Sequence, residues 1–174
     1  MVYVIEISRK RCSPDLLGSI GERVKELLKV VEIQTSDSTL LAKLLLQTSG
    51  NSNSSLARVV QAVEEHGGRI IAPVYSGVVF KAPLHGTIIE LARKSGMEII
   101  EIKISGRVLF LYLASADERT FLHFLEAAKR EGFSIGIAGI YDEFLEHSDR
   151  TALRRYTAKI VFEHIGMAAR EKWT

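Results

Sequence analysis

The chain has one cysteine, no long apolar run and almost no excess of charge. A single cysteine among 174 residues cannot form an intrachain disulfide, which is typical of the reducing cytoplasm. No apolar run approaches the roughly 18 residues that a membrane-spanning helix needs. The formal net charge of +2 is too small to indicate nucleic-acid binding by itself. The first residues are already strand-like, so we expect no signal peptide, and we predict a cytoplasmic protein without a membrane partner.

The sequence also lacks the motifs of common catalytic and metal-binding sites. Its five histidines show no His-x-x-x-His spacing, and there is no Cys-x-x-Cys pair. It has no Gly-x-Ser-x-Gly elbow, no P-loop and no Gly-x-Gly-x-x-Gly fingerprint. We therefore expect a protein that is not an enzyme and that holds neither a metal nor another cofactor.

What the sequence does have is a clear hydrophobic periodicity. Alternating β-branched stretches predict strands, while helical spacing with polar caps and terminal glycines predicts helices. In the first half, the predicted elements are strands over Val2–Ile7, Val30–Thr35, Leu40–Thr48 and Arg69–Tyr75, a helix capped by Ser13 with apolar residues as far as Leu28, and a helix that ends at Gly67. In the second half, they are strands over Val78–Ala82, Met97–Ile104, Val108–Ala114 and Phe133–Tyr141, a helix over Thr87–Lys94, and a helix with a capping box from Ser115 that ends at Gly132.

The two halves match each other without a gap over their second parts, at an offset of about 65 residues. Leu44–Leu46 aligns with Leu109–Leu111, and Gly67 aligns with Gly132. Repeated βαββαβ order in a matched register favours an α+β fold of two tandem ferredoxin-like units, residues 1–76 and 77–144. Residues 145–174 then form a separate C-terminal helical segment.

This C-terminal segment has no strand pattern but a wide apolar stripe at helical spacing that includes Leu153, Tyr156 and Ile160. Six basic and three acidic residues between 147 and 174 give it a net charge of +3. We expect the stripe to form part of a homo-oligomer interface. Packing of the stripe on the two units of its own chain is the alternative.

The second half carries its elements in a characteristic order. The stretch TIIELARKSGMEIIEIKISGRVLFLYLASADERTFLHFLEAAKREGFSIGI holds a helix ending in glycine, a hairpin, an Ala-Ser-x-x-Glu helix start and a closing Gly-Phe-x-Ile-x-Ile strand. Over residues 1–141 this arrangement resembles the ACT-like regulatory modules of amino-acid metabolism. It resembles more particularly the N-terminal region of archaeal transcriptional regulators of the bacterio-opsin activator type. Those regulators continue into a helix-turn-helix, and here no recognition helix follows, so the resemblance implies the sensing or dimerising half alone.

The polar stretch Gly50–Ser55 lies between a predicted strand and a predicted helix. We expect it at the same end of the first unit as the loop Arg9–Ser13, so that two helix N-termini lie near three cations. Such an arrangement favours an anion, either a phosphate or the carboxylate of an amino acid. The candidate ligand-binding residues are Arg9, Lys10, Arg11, Ser13, Asn51, Ser52, Asn53 and Ser54. The alternative is that Asn53 or Ser54 merely caps the second helix.

Two classes of function remain open. The first is a non-enzymatic regulatory module that senses a small molecule, acts in transcription or metabolism, and works through oligomerisation. The second is RNA or DNA binding through ferredoxin-like sheets or through the basic C-terminal helix. RNA binding by a sheet needs aromatic side chains on exposed strand faces, and the strands offer aromatics mostly within apolar runs. The pattern therefore favours the regulatory module.

Overall fold

Strands and helices follow one another in the order β-α-β-β-α-β twice along the chain. A computed structural model describes residues 2–9, 15–47, 52–115 and 117–141. The elements of the first half are β1 (Val2–Arg9), α1 (Leu16–Arg23), β2 (Leu28–Thr35), β3 (Thr39–Leu46), α2 (Ser52–Glu65) and β4 (Arg69–Val74). Those of the second half are β5 (Gly77–Pro83), α3 (Ile88–Lys94), β6 (Glu98–Ser105), β7 (Val108–Ala114), α4 (Glu118–Arg130) and β8 (Phe133–Tyr141).

All eight strands belong to one antiparallel sheet, in the order β4-β5-β3-β2-β6-β7-β1-β8. The predicted α+β class is confirmed, but two tandem ferredoxin-like units are not, because the sheet is continuous across both halves. In addition, β1 lies between β7 and β8, and β5 lies between β3 and β4. The first strand of each half therefore pairs with strands of the other half.

The four described helices share one core with one face of the sheet. Alternate strand residues such as Ile5, Leu44 and Leu111 are fully buried in that core together with helix residues such as Leu17 and Phe124. Because successive strand residues point to opposite faces, their neighbours in sequence lie on the opposite face, which carries none of the four described helices and is called the helix-free face. Burial of so many aliphatic side chains on one face is the main term that holds the two layers together.

An aromatic stack ties β1 to the second half. The rings of Tyr3 on β1 and Phe121 on α4 are stacked, with centroids 3.8 Å apart and planes 12° apart. Both side chains are almost fully buried, at 1% and 0% exposure. Burial raises the pKa of Tyr3, and the nearby Glu118 and Asp117 act in the same direction.

The first helix differs from its prediction at both ends. Its N-cap is Asp15, whose Oδ1 accepts a hydrogen bond from the Gly18 amide at 3.0 Å, and the predicted cap Ser13 lies outside the described residues. The helix ends at Arg23 and not at Leu28 as predicted, because Leu28 pairs with strands on both of its sides. The sheet therefore takes residues whose spacing alone suits a helix.

Two further cap predictions were wrong. Helix α4 has Asp117 as its N-cap, with Oδ1 accepting from the Thr120 amide at 2.7 Å, and the predicted cap Ser115 hydrogen-bonds the backbone of Asp117 instead. Helix α2 already begins at Ser52, so neither Asn53 nor Ser54 is its N-cap. Side chains two residues apart compete for the same role, and local sequence did not decide between them.

Other boundaries agree with the sequence. Strands β7 and β8 have the predicted bounds, and the predicted hairpin turn between β6 and β7 contains Gly106 at a φ of 57°. Eight strands were predicted and eight are found in the described residues. The fifth predicted helix, within residues 145–174, lies outside them.

Candidate ligand-binding site

The two loops predicted to bind an anion follow β1 and β3. Four antiparallel pairings connect these strands across the sheet. Both strands therefore run in the same direction, and their C-terminal ends lie on the same side of the sheet. They are not neighbours, however, because β2, β6 and β7 lie between them. At the usual spacing between strands, their ends are about 19 Å apart. The sheet therefore does not bring the two predicted loops close together, as adjacent strands would.

Half of the eight residues of that predicted site lie outside the described part of the chain. Lys10, Arg11, Ser13 and Asn51 belong to this group, whereas Arg9 ends β1. Ser52, Asn53 and Ser54 form the start of α2, and the side chains of Asn53 and Ser54 are exposed. The site therefore stays a prediction.

The helix starts near this predicted site are already supplied with polar partners. The Asp15 carboxylate occupies the N-cap of α1, and in the first turn of α2 the Ser55 hydroxyl donates to Glu26 Oε1 at 2.7 Å. This hydrogen bond lowers the pKa of Glu26, since it stabilises the carboxylate. An acid at each helix start disfavours an anion there.

A cleft of about 540 Å³ lies instead where the end of β5 meets the beginnings of β3 and β4. Its lining residues are Ser38, Thr39, Gly67, Gly68, Arg69, Lys81, Ala82 and Pro83. Arg69 and Lys81 are exposed, and no acidic residue is among those that line the cleft. This cleft is the candidate site.

Arg69 and Lys81 lie directly opposite each other on the hairpin formed by β4 and β5. Like charges in this relation repel each other and destabilise a strand pair. Among the described residues neither cation forms an ion pair, whereas Lys29, Lys43 and other cations of the sheet and helices do. An anion bound between Arg69 and Lys81 would remove the repulsion, and a guanidinium suits carboxylate or phosphate oxygens because it can donate two parallel hydrogen bonds.

The end of α2 shapes one wall of the cleft. Gly67 takes the left-handed conformation with a φ of 79°, as predicted for a helix C-cap, and the Gly68 amide donates to Val63 O at 2.8 Å. A Cβ on Gly68 would lie 2.6 Å from the Lys81 carbonyl oxygen. Glycine at this position therefore lets the chain turn closely beside β5 and places Arg69 opposite Lys81.

A second and smaller cleft of about 240 Å³ lies on the other side of Pro83. It contains Asp15 together with His66 and His85. The imidazoles already have neighbours, since His66 Nδ1 lies 2.9 Å from Ala62 O and His85 Nδ1 lies 3.4 Å from Glu90 Oε1. Because it includes a carboxylate, this cleft suits an anion less well than the first.

Arg69 and Lys81 were missed because the boundary between the two predicted units was placed at residue 76. The turn Tyr75–Ser76 joins β4 and β5 into a hairpin, with Ser76 at a φ of 57°. A short loop between two predicted strands is a hairpin signal, and counting outward from it would have placed Arg69 close to Lys81.

Comparisons with known proteins do not identify the chain: no protein-family model matches it and no curated protein matches its sequence. Within the described ranges, no group of three or more histidine, cysteine or acidic residues is arranged to hold a metal ion. The helices of the same ranges include none long and apolar enough to cross a membrane.

Proposed function

We propose that the protein is a non-enzymatic regulatory module that binds a small anionic ligand, such as an amino acid, and acts as a homo-oligomer in transcription or metabolism. The observation that carries the proposal is the opposed pair Arg69 and Lys81 in a cleft with no acidic lining residue. The hydroxyl-bearing residues Ser38 and Thr39 add polar groups on the β3 side. Positive charge and hydroxyl groups together favour a carboxylate or a phosphate.

The strand order supports a relation to ACT-like modules. Each group of four strands, β4-β5-β3-β2 and β8-β1-β7-β6, is antiparallel and has an order that corresponds to 4-1-3-2 if β1 and β5 change places. We infer two ferredoxin-like units that have exchanged their first strands. The proposed relation to archaeal regulators of the bacterio-opsin activator type depends on this reading and on the sequence resemblance.

The ligand hypothesis is tested by calorimetric titration of phosphate, sulfate and a panel of amino acids into the full chain. One charge-assisted contact contributes on the order of 1.5–3 kcal/mol, so Arg69→Ala should weaken binding roughly tenfold to a hundredfold. The affinity of Arg69→Lys should lie between those of the wild type and Arg69→Ala, because lysine retains the charge but lacks the planar guanidinium that donates two parallel hydrogen bonds. The matched control is Arg130→Ala, which removes an exposed arginine from the end of α4.

Three outcomes contradict this assignment. Absence of binding rules out the sensing function, and equal binding by wild type and Arg69→Ala rules out the cleft. If Arg11→Ala weakens binding while Arg69→Ala does not, the ligand lies at the predicted loops Arg9–Ser13 and Gly50–Ser55.

Nucleic-acid binding through the helix-free sheet face is the second candidate, and one contact favours it. The Lys103 ammonium lies 5.2 Å from the Tyr112 ring centroid, and Lys103 is directly opposite Lys29 on the neighbouring strand. Cations beside aromatic rings are the groups that bind single-stranded RNA. Against this candidate, Tyr112 is only 5% exposed. Salt-dependent anisotropy changes of a labelled single-stranded RNA that are lost in Lys103→Ala would favour RNA binding over the sensing function.

A further inference from the structure

The helix-free face carries a buried apolar patch on the side of the sheet formed by β6, β7, β1 and β8. The Val4 patch consists of Val2 and Val4 on β1 and of Phe110 and Tyr112 on β7. Val4 is 0% exposed and Tyr112 is 5% exposed, although strand alternation points both away from the four helices. Side chains this deeply buried need a cover on that face.

The described neighbours explain only part of this burial. Lys103 lies over the Tyr112 ring, and Val4 and Tyr112 are cross-strand partners. On its other side, Val4 pairs with Gly139 of β8, which has no side chain that could shield it. Gly139 itself therefore contributes no side chain that covers Val4.

The same face has no comparable burial on the side of the sheet formed by β4, β5, β3 and β2. Leu41, Lys43 and Leu45 on β3 and Val79 on β5 point to it, and each of them is partly exposed. Both sides belong to one sheet and have equivalent strand orders. The difference therefore indicates a cover that is specific to the side with the Val4 patch.

We propose that residues 142–174 of the same chain fold back over the Val4 patch. This segment follows Tyr141 directly, and Tyr141 pairs with Val2, so the segment begins beside the patch. Its apolar stripe of Leu153, Tyr156 and Ile160 is chemically suited to cover apolar side chains.

This proposal goes beyond ligand binding, because it assigns a partner to the sheet face. The stripe then serves the interior of one chain and is not available as the predicted homo-oligomer interface. The segment also occupies the aromatic surface that RNA binding would need.

Photo-crosslinking in the full chain tests the proposal. Benzoylphenylalanine replaces Phe110, and after irradiation mass spectrometry identifies the crosslinked peptide. We expect peptides from residues 142–174. A mixture of ¹⁵N-labelled and unlabelled chains separates links within one chain from links between two chains. The matched control places benzoylphenylalanine at Leu45 of β3, on the helix-free face but away from the Val4 patch. There we expect no link to residues 142–174.

A second probe position at Val2 covers the case in which the Phe110 variant does not fold. In either variant, the additional change Leu153→Glu should abolish the link to residues 142–174. Links that carry both isotope labels would overturn the proposal in favour of a second copy on the patch. Links that never reach residues 142–174 would overturn it as well.

Discussion

The two halves of this protein have the same order of elements but bury and expose different chemistry. At the hairpin of β4 and β5, Arg69 lies opposite Lys81, whereas the matching strand pair, β8 and β1, places Ser134 opposite Ser8. On the helix-free face, the side of the sheet formed by β4, β5, β3 and β2 is partly exposed, whereas the side formed by β6, β7, β1 and β8 holds the buried Val4 patch. A shared topology therefore leaves ligand binding and assembly to be decided by side chains at matched positions.

The largest expected difference between the halves is in core packing. At an offset of about 65 residues, Leu56 on α2 matches Phe121 on α4. Phe121 is fully buried against Tyr3, whereas Leu56 is only partly buried. Phe121→Ala should lower the free energy of unfolding by about 3–5 kcal/mol, and Leu56→Ala by less, about 1–2 kcal/mol.

Urea denaturation with fluorescence and circular dichroism measures both changes. Equal losses in the two variants would mean that the two halves are packed alike and that the stack of Phe121 on Tyr3 adds nothing to the free energy of unfolding. A proper comparison requires that the denaturant dependence of the free energy is unchanged in both variants.

A smaller effect concerns the helix caps of the second half, and it depends on pH. The Thr120 amide donates to Asp117, which lowers the pKa of Asp117 below its ordinary value of 3.8. A carboxyl group with a lowered pKa stabilises the fold above that value, and the contribution is lost as the pH falls through the lowered pKa. Thr87, the cap of α3, accepts from the Glu90 amide but does not titrate.

The variant Asp117→Asn keeps an acceptor oxygen but removes the titration. We expect the wild type to lose stability relative to Asp117→Asn as the pH is lowered through the region below 3.8. Denaturation midpoints at a series of pH values give this difference directly. Thr87→Ser serves as the control, and its difference from wild type should not change with pH. Parallel pH curves for wild type and Asp117→Asn would show that the pKa of Asp117 is the same in the folded and unfolded chain, which contradicts this prediction.

The smallest expected effect concerns an exposed ion pair between helices of the first half. Arg23 on α1 donates to Glu65 on α2, and this contact lowers the pKa of Glu65. The matching position of Glu65 in the second half is Arg130. Because the pair is solvent-exposed, Glu65→Gln should reduce the denaturation midpoint only slightly, and about 1 M salt should remove the reduction.

The matched control for this pair is Arg130→Gln, which should leave the midpoint unchanged. A loss in Glu65→Gln that persists in high salt would mean that Glu65 contributes by packing and not by charge. A loss as large as that of Phe121→Ala would reverse the ranking of the two halves.

Local patterns predicted the type of each described element because periodicity is a local property. Alternation with a period of two marked all eight strands and also the face that each strand residue points to. Local patterns did not identify the helix caps, as the wrong predictions at Ser13, Asn53 or Ser54, and Ser115 show. Several polar side chains within three residues can accept the same amide, and only the path of the chain selects one.

The candidate site was less predictable than the fold. The sequence drew attention to Gly50–Ser55 because a polar run is visible locally, whereas Arg69 and Lys81 are separated by a turn and are ordinary surface residues when read singly. Their proximity follows from the register of a hairpin, and the predicted boundary at residue 76 divided that hairpin.

The sequence by itself determined the order of strands and helices, the buried face of each element and the repeat of βαββαβ order. Tertiary structure alone decided that β1 pairs with β7 and β8, that β5 pairs with β3 and β4, and that Arg69 faces Lys81. The physical reason is that alternation fixes which face of a strand is buried but not which strand lies beside it. Backbone hydrogen bonds are alike for every neighbour, so long-range packing such as the stack of Tyr3 on Phe121 makes that choice.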